Sequence, residues 1–199
     1  ITVSATYPAT DATAGEKERG TLETLLTFPV KSRDIILGKF LSVSISSIIT
    51  GILGFILALV SLSFINDKVD IYKGVNLIPS TETCIITILI IILYSILISG
   101  LCIAVAAKSK SFKEAQSALS PITLLSCFPG LIAFMMELKT TNLIAAIPFI
   151  NYVQVFGDVN AGNINYLHIC LMFSTTIIFI TIVMFYIIKA YKSEKVLFN

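Results

Sequence analysis

Four long stretches of apolar residues dominate the hydrophobic pattern of this chain. None of them contains Lys, Arg, Asp or Glu, and each reaches the ~20 residues that a helix needs to cross ~30 Å of hydrocarbon. Only helices and closed barrels pair every backbone group within lipid, and continuous apolar runs of this length form helices. The pattern therefore predicts an all-α integral membrane protein with four transmembrane helices, at residues 41–65, 83–107, 117–136 and 166–188.

The composition supports a membrane protein. Charged residues make up 13% of the chain, whereas soluble domains carry about 25%. The four cysteines lie in apolar stretches without CxxC spacing, so they are expected to be small packing residues, and neither a disulfide framework nor a metal site is predicted. The single histidine, His168, is expected to be an interfacial packing residue, with a proton relay as the alternative.

The basic residues predict the orientation of the spans. Three of them, Lys68, Lys73 and Lys139, lie in the loops on one side, and the other eleven lie on the opposite side. Basic residues concentrate in cytoplasmic loops. Both ends of the chain, including the tail 189–199, and the short middle loop are therefore predicted to be cytoplasmic. The eleven are Lys17, Arg19, Lys31, Arg33, Lys39, Lys108, Lys110, Lys113, Lys189, Lys192 and Lys195.

A fifth apolar stretch, residues 141–156, is shorter than the others and is interrupted by Pro148. A crossing here would place the last lysine cluster outside, and proline breaks a helix. We therefore predict a re-entrant or interfacial segment on the outer face. Its polar residues either border an exit pathway or are surface residues of a loop; they are Asn151, Tyr152, Gln154 and Asp158.

Small residues recur on one face of the first span, at spacings of three and four residues. Small side chains let helix backbones approach closely within lipid, so this face is predicted to pack against another helix, with a polar transport pathway as the alternative. It consists of Ser47, Gly51, Gly54, Ala58 and Ser61. In the third span Pro129 and Gly130 predict a kink, which is a candidate hinge.

Residues 15–40, GEKERGTLETLLTFPVKSRDIILGKF, carry the most informative pattern. A dense patch of both charges is followed by Leu22, Leu25 and Leu26 at helical spacing, and Pro29 ends this short amphipathic helix. The pattern is compatible with a solvated juxtamembrane helix or with a surface that a cytoplasmic partner grips.

This run, EKERGTLETLLTFPVKSRDIILGK, resembles the cytoplasmic segment of type-2 ABC exporter permeases, and is most similar to the bacterial permeases associated with sodium efflux. The resemblance implies a six-span core of which residues 41–188 form the last four spans. Residues 1–14 would then be the tail of a preceding span. It also implies a multi-pass protein of a bacterial cell membrane, with a coupling segment at 15–40 and a re-entrant segment before the last span.

The resemblance further implies that this segment contacts an ABC ATPase subunit and transmits its movement. The implied coupling residues are Glu16, Lys17, Glu18, Arg19, Gly20, Thr21, Glu23, Leu25, Leu26 and Pro29. The implied partners are that ATPase, a second permease copy in a homo- or heterodimer, and membrane lipid, with no nucleic acid. The cargo would be sodium, or alternatively drugs, lipids or peptides.

The chain has no GxxxxGK[ST] phosphate-binding loop, so we expect it to be a transport subunit rather than an enzyme, with ATP and magnesium bound by the partner ATPase. No catalytic residue is predicted. Two alternatives of another class are an intramembrane protease and a passive channel. A metal-dependent protease needs acids and histidines gathered at membrane depth, and an ion channel needs charged rings or a backbone filter. The spans contain one histidine and no acid.

Overall fold

The computed structural model describes residues 1–21, 24, 29–68, 78–136 and 139–192. Every regular element in these ranges is helical. The elements are α1 (Thr2–Thr10), a π-helical turn (Asp11–Gly15), α2 (Glu16–Glu18), α3 (Ser32–Lys68), α4 (Thr81–Ala106), α5 (Phe112–Met136), α6 (Asn142–Ala146), α7 (Ile150–Asn160) and α8 (Tyr166–Lys192).

Four of the described helices are long and apolar enough to cross a membrane. Their candidate spans are Arg33–Ile65, Thr81–Ala106, Phe112–Ala133 and Tyr166–Lys189. The predicted fold class, an all-helical protein with four membrane spans, is therefore confirmed. Helix α3 has 37 residues and is about 55 Å long, so it extends beyond the ~30 Å of hydrocarbon.

Helix α4 forms the centre of the bundle. It contacts α1, α3, α5, α7 and α8. Half of the most apolar stretch of α4 is buried, whereas none of the most apolar stretch of α3 is buried. Lipid tails are as apolar as Leu, so α3 exposes large side chains such as Leu53 and Leu57 without the cost that they would have in water. The core of the described bundle is thus organised around α4.

The first residues form a helix that packs into this core. Helix α1 contacts α3, α4 and α5, and Ala5, Ala9 and Ala14 are fully buried. Their small side chains allow the close approach that neighbouring helices need. The packing brings Glu16–Glu18, which follow directly, against the ends of three spans.

Helices α6 and α7 run in opposite directions along the bundle, and Phe149 at their junction has a φ of 72°. Tyr152, early in α7, stacks edge-on against Tyr94 with ring centroids 4.8 Å apart. Tyr94 lies about 20 Å along α4 from Thr81. Near the other end of α7, the Val159 carbonyl accepts a 3.5 Å hydrogen bond from Thr83. Helix α7 therefore runs from the middle of α4 to its first turn.

Candidate functional site

Three consecutive side chains of the segment after α1 each bind a different span. Glu16 pairs with Lys39 in α3, Lys17 binds the end of α4, and Glu18 binds the start of α5. We call these three residues and Lys39 the charged cluster. It occupies the end of the bundle at which α4 ends and α5 begins.

The ion pair between Glu16 and Lys39 is the most buried contact of the cluster. The Lys39 Nζ lies 2.5 Å from Glu16 Oε2, and the side chains are 8% and 25% exposed. Taking an ammonium group out of water is costly unless a carboxylate compensates for the lost hydration. The Glu16 carboxylate therefore offsets the desolvation cost of burying the Lys39 ammonium group.

Lys17 closes the end of α4. Its ammonium donates a 2.7 Å hydrogen bond to the carbonyl of Ala107, which follows the last residue of that helix. The last carbonyls of a helix lack intrahelical donors and carry partial negative charge, so a cation is favourable there. Burial and the neighbouring Lys39 lower the pKa of Lys17, while Glu114 opposes this shift.

Glu18 closes the start of α5 in the complementary way. Its Oε2 accepts a 2.7 Å hydrogen bond from the backbone N–H of Phe112, the first residue of that helix. The first N–H groups of a helix lack partners, and negative charge is favourable at this end. In the same turn Glu114 accepts a 2.8 Å hydrogen bond from the Lys110 N–H. The segment thus provides an acid for the helix start and a base for the helix end.

The backbone around the cluster is braced by Arg19 and by two glycines. The Arg19 guanidinium lies 2.9 Å from Asp11 Oδ1. A Cβ at Gly15 would lie 3.2 Å from this same Asp11 oxygen, so a larger residue would crowd the pair. Gly20 has a φ of +69°, which glycine adopts without strain, and its N–H bonds to the Lys17 carbonyl at 3.1 Å. The chain therefore turns directly after the cluster.

The structure distributes the predicted coupling residues unequally. Glu16 and Lys17 are partly buried in contacts within the chain. The other described members are exposed, and of these Glu18 and Arg19 also bind Phe112 and Asp11; the exposed members are Glu18, Arg19, Gly20, Thr21 and Pro29. Glu23, Leu25 and Leu26, and with them the predicted amphipathic helix, lie outside the described residues. The sequence pattern did not single out Lys39 or Asp11. The position of Lys39, two residues before the first predicted apolar stretch, is the signal that could have drawn attention to it.

The predicted small-residue face is divided between two environments. Ser47 and Gly51 are buried against α4: the Ser99 hydroxyl lies 3.5 Å from that of Ser47, and a Cβ at Gly51 would lie 2.7 Å from Ile91 Cγ2. The other three residues, Gly54, Ala58 and Ser61, are exposed.

Gly51 and Ala58 also line a cavity of about 440 Å³, together with Thr87, Tyr94 and Tyr152, and no charged side chain lines it. The candidate hinge residues, Pro129 and Gly130, lie within the continuous helix α5. Pro129 is buried, and it lacks the N–H that would pair with the carbonyl four residues earlier.

Of the two alternatives for the polar residues of 141–156, the surface-loop alternative does not hold for three of the four. Asn151, Tyr152 and Gln154 are 0%, 5% and 8% exposed, and each forms at least one hydrogen bond, while the Asn151 Oδ1 has no partner. Tyr152 donates a 2.8 Å hydrogen bond to Thr176, and Asn151 donates to the Ala145 carbonyl at 3.3 Å. The fourth residue, Asp158, is half-buried.

The remaining candidates for chemistry are isolated from one another. His168 Nε2 lies 3.1 Å from Asn142 Oδ1, and the four cysteines are free thiols. Within the described residues, no group of three or more His, Cys, Asp or Glu side chains is placed to hold a metal ion. The geometry of this part of the chain therefore gives no support to the protease alternative.

Comparison with known proteins identifies the family. The family model for the ABC-2 family transporter protein matches residues 1–199, the full length of the sequence. The ABC transporter permease protein NatB of Bacillus subtilis (strain 168) is 30% identical over 167 residues, which cover 82% of this chain and 42% of that protein. The chain therefore spans less than half of this relative's length. No solved structure matches. With its four membrane spans and its charged segment, the chain belongs to the ABC-2 family of transporter proteins.

Proposed function

We propose that this chain is the permease part of an ATP-driven ABC exporter, and that a separate cytoplasmic ATPase drives it. The observation that carries the proposal is the charged cluster, in which residues 16–18 bind α3, α4 and α5 one after another. Because one short segment is fixed to three spans, a force on that segment would reach all three. ATP and magnesium would bind to the ATPase, and a second permease copy would complete the pathway.

The ATPase would contact the exposed residues beyond the cluster. Glu16 and Lys17 are partly buried against their partners within the chain, whereas Arg19 and Thr21 are exposed, although each also has one partner, Asp11 and the Glu16 carbonyl respectively. These two residues are therefore the best candidates for charge-assisted and polar contacts with the ATPase.

Co-purification tests this assignment. We expect Arg19→Glu with Thr21→Glu to reduce the amount of ATPase that co-purifies with the complete permease, and to reduce its stimulated ATP hydrolysis. Lys113→Glu is the matched control, since Lys113 is exposed beside the cluster in the first turn of α5. An unchanged complex with the Arg19 and Thr21 substitutions would refute the proposed contact.

The orientation proposal places the charged cluster and both ends of the chain in the cytoplasm. It is supported by the proximity of several basic residues at this end of the bundle: Lys39 pairs with Glu16, and the Lys108 ammonium lies 5.1 Å from the centre of the Tyr186 ring.

We also propose that residues 141–156 dip into the membrane and return, which is supported by the edge-on contact of the Tyr152 ring with Tyr94. Cysteines at Thr140 and Asn163 should then be labelled from the same, outer side.

For the cargo we propose sodium ions, on the strength of the resemblance to sodium-efflux permeases. The described spans offer buried hydroxyl oxygen atoms without a partner, on Ser44, Thr87 and Ser95. ATP-dependent uptake of radioactive sodium into inside-out vesicles tests this proposal, with potassium as the control ion. Uptake of a drug, lipid or peptide without sodium would favour the alternative substrates, and flux without ATP would favour a passive channel.

A further inference from the structure

Lys39 differs from the other described basic residues in its burial. It lies within two turns of the start of α3, and its side chain is 8% exposed, whereas Lys31, just before the helix, is exposed. A lysine at such a position normally extends its side chain towards water. Here the side chain instead points to Glu16, whose carboxylate lies 2.5 Å from the ammonium.

The charges around the Lys39–Glu16 ion pair make it important for the arrangement of the whole charged cluster. Burial lowers the pKa of Lys17, the nearby charge of Lys39 lowers it further, and Glu114 opposes the shift. The single carboxylate of Glu16, which pairs with Lys39, is adjacent to Lys17 in sequence. With Lys39 in place, Glu16 is engaged and Lys17 remains on the Ala107 carbonyl at 2.7 Å. Without Lys39, Glu16 would be left unpaired beside Lys17 and would compete with that carbonyl for its ammonium.

We propose that Lys39 is a positioning residue that holds residues 16–18 in the one arrangement that binds α3, α4 and α5 together. This inference rests on the proposed function, in which an ATPase moves the segment. Loss of Lys39 would leave the exposed surface for the ATPase in place, since Arg19 is separately braced by Asp11 at 2.9 Å. It would release Lys17 from α4, so that movement of the segment would no longer reach that helix.

The test measures movement at the far end of α4 in the complete permease–ATPase complex. Cys84 lies in the first turn of α4, at the opposite end from Ala107, and remains as the only thiol of this region after replacement of Cys102, Cys127 and Cys170 by Ser. We expect ATP to change the rate at which N-ethylmaleimide alkylates Cys84. In Lys39→Met this ATP effect is lost although the ATPase still co-purifies with the permease, because the exposed residues proposed to contact it are unchanged.

Three variants make the result specific. Lys31→Met removes an exposed lysine from the same end of the bundle and should keep the ATP effect. Lys39→Arg keeps the charge and should keep part of it. The double exchange Glu16→Lys with Lys39→Glu restores an ion pair of reversed polarity; if Lys39→Met does not assemble, this exchange carries the test and should recover the ATP effect.

A Lys39→Met complex with the full ATP effect at Cys84 would overturn the inference, and so would a wild-type complex in which ATP leaves Cys84 alkylation unchanged. A charge-exchanged variant that assembles but shows no ATP effect would also count against it. Failure of the wild-type permease to bind any ATPase would instead refute the proposed function.

Discussion

At one end of the bundle the helices are joined by a cluster of charged side chains, whereas nearer the middle they are joined by hydrogen bonds between neutral groups. The charged cluster binds three helices through Glu16, Lys17 and Glu18. Near the middle, Tyr152 bonds to Thr176 and Asn151 to the Ala145 carbonyl. Buried charges are strongly destabilising when one partner is lost, while a neutral hydrogen bond contributes about 1 kcal/mol. The charged end should therefore respond more sharply to substitution.

The largest expected effect comes from Glu16→Gln, which leaves the Lys39 ammonium buried without a counter-charge. We expect the free energy of unfolding to fall by about 3 kcal/mol, in the range for breaking a buried pair. Thermal unfolding in detergent measures this loss. Glu114→Gln is the control, because Glu114 is exposed and glutamine keeps an acceptor for the Lys110 N–H. Equal losses in the two variants would contradict the comparison.

Tyr152→Phe tests the neutral hydrogen bonds. It removes the hydroxyl that donates to Thr176 at 2.8 Å, while the Thr176 hydroxyl keeps its own bond to the Met172 carbonyl. We expect a loss of about 1 kcal/mol, unaffected by salt. The control is Tyr7→Phe, since Tyr7 is 62% exposed. A loss as large as that of Glu16→Gln would show that the neutral network is the stronger of the two.

Glu18→Gln separates charge from hydrogen bonding within the charged cluster. Glutamine can still accept from the Phe112 N–H, so only the favourable charge at the start of α5 is lost. The expected loss is about 0.5 kcal/mol and should shrink at high salt, because the side chain is exposed. A loss that does not depend on salt would indicate that shape rather than charge makes this contact.

The smallest expected effect is the contribution of Lys17 to the pH dependence of stability. Its pKa in the folded protein lies below the ordinary value of 10.5, so at pH values between the two this group binds more protons in the unfolded chain. The contribution of Lys17 to stability should therefore rise with pH in the alkaline range below 10.5. The difference in unfolding temperature between the wild type and Lys17→Met, measured across this range, isolates that contribution. A difference that does not change with pH would contradict it.

The sequence predicted three of the four residues of the charged cluster, but it did not predict their contacts. Glu16, Lys17 and Glu18 stood out as part of a dense patch of both charges, and the resemblance to type-2 ABC permeases implied their coupling role. Their partners could not be identified, since Ala107 and Phe112 lie some ninety residues away and act through backbone groups that every residue possesses. Lys39 was passed over because a lysine before a span normally serves only to orient it.

For the polar residues of 141–156, the sequence pattern was a poor guide to burial. Asn151 and Tyr152 have polar side chains in a stretch interrupted by Pro148, which is typical of a surface loop. They are buried because Thr175, Thr176 and the Ala145 carbonyl supply hydrogen-bond partners. The small-residue face was predicted as a unit, yet only Ser47 and Gly51 meet α4. Periodicity places residues on one face of a helix, but the length of a contact depends on the partner helix.

The sequence by itself determined that the described part of the chain is helical and carries four helices fit to span a membrane, because the free energy of moving a helix from water into lipid depends on the length and charge of its own residues. It also singled out residues 15–40, which we propose to receive movement from an ATPase. Only the tertiary structure decided which charges are engaged within the chain and which remain exposed, because the burial of Lys39 and the free helix ends at Ala107 and Phe112 arise when distant segments meet.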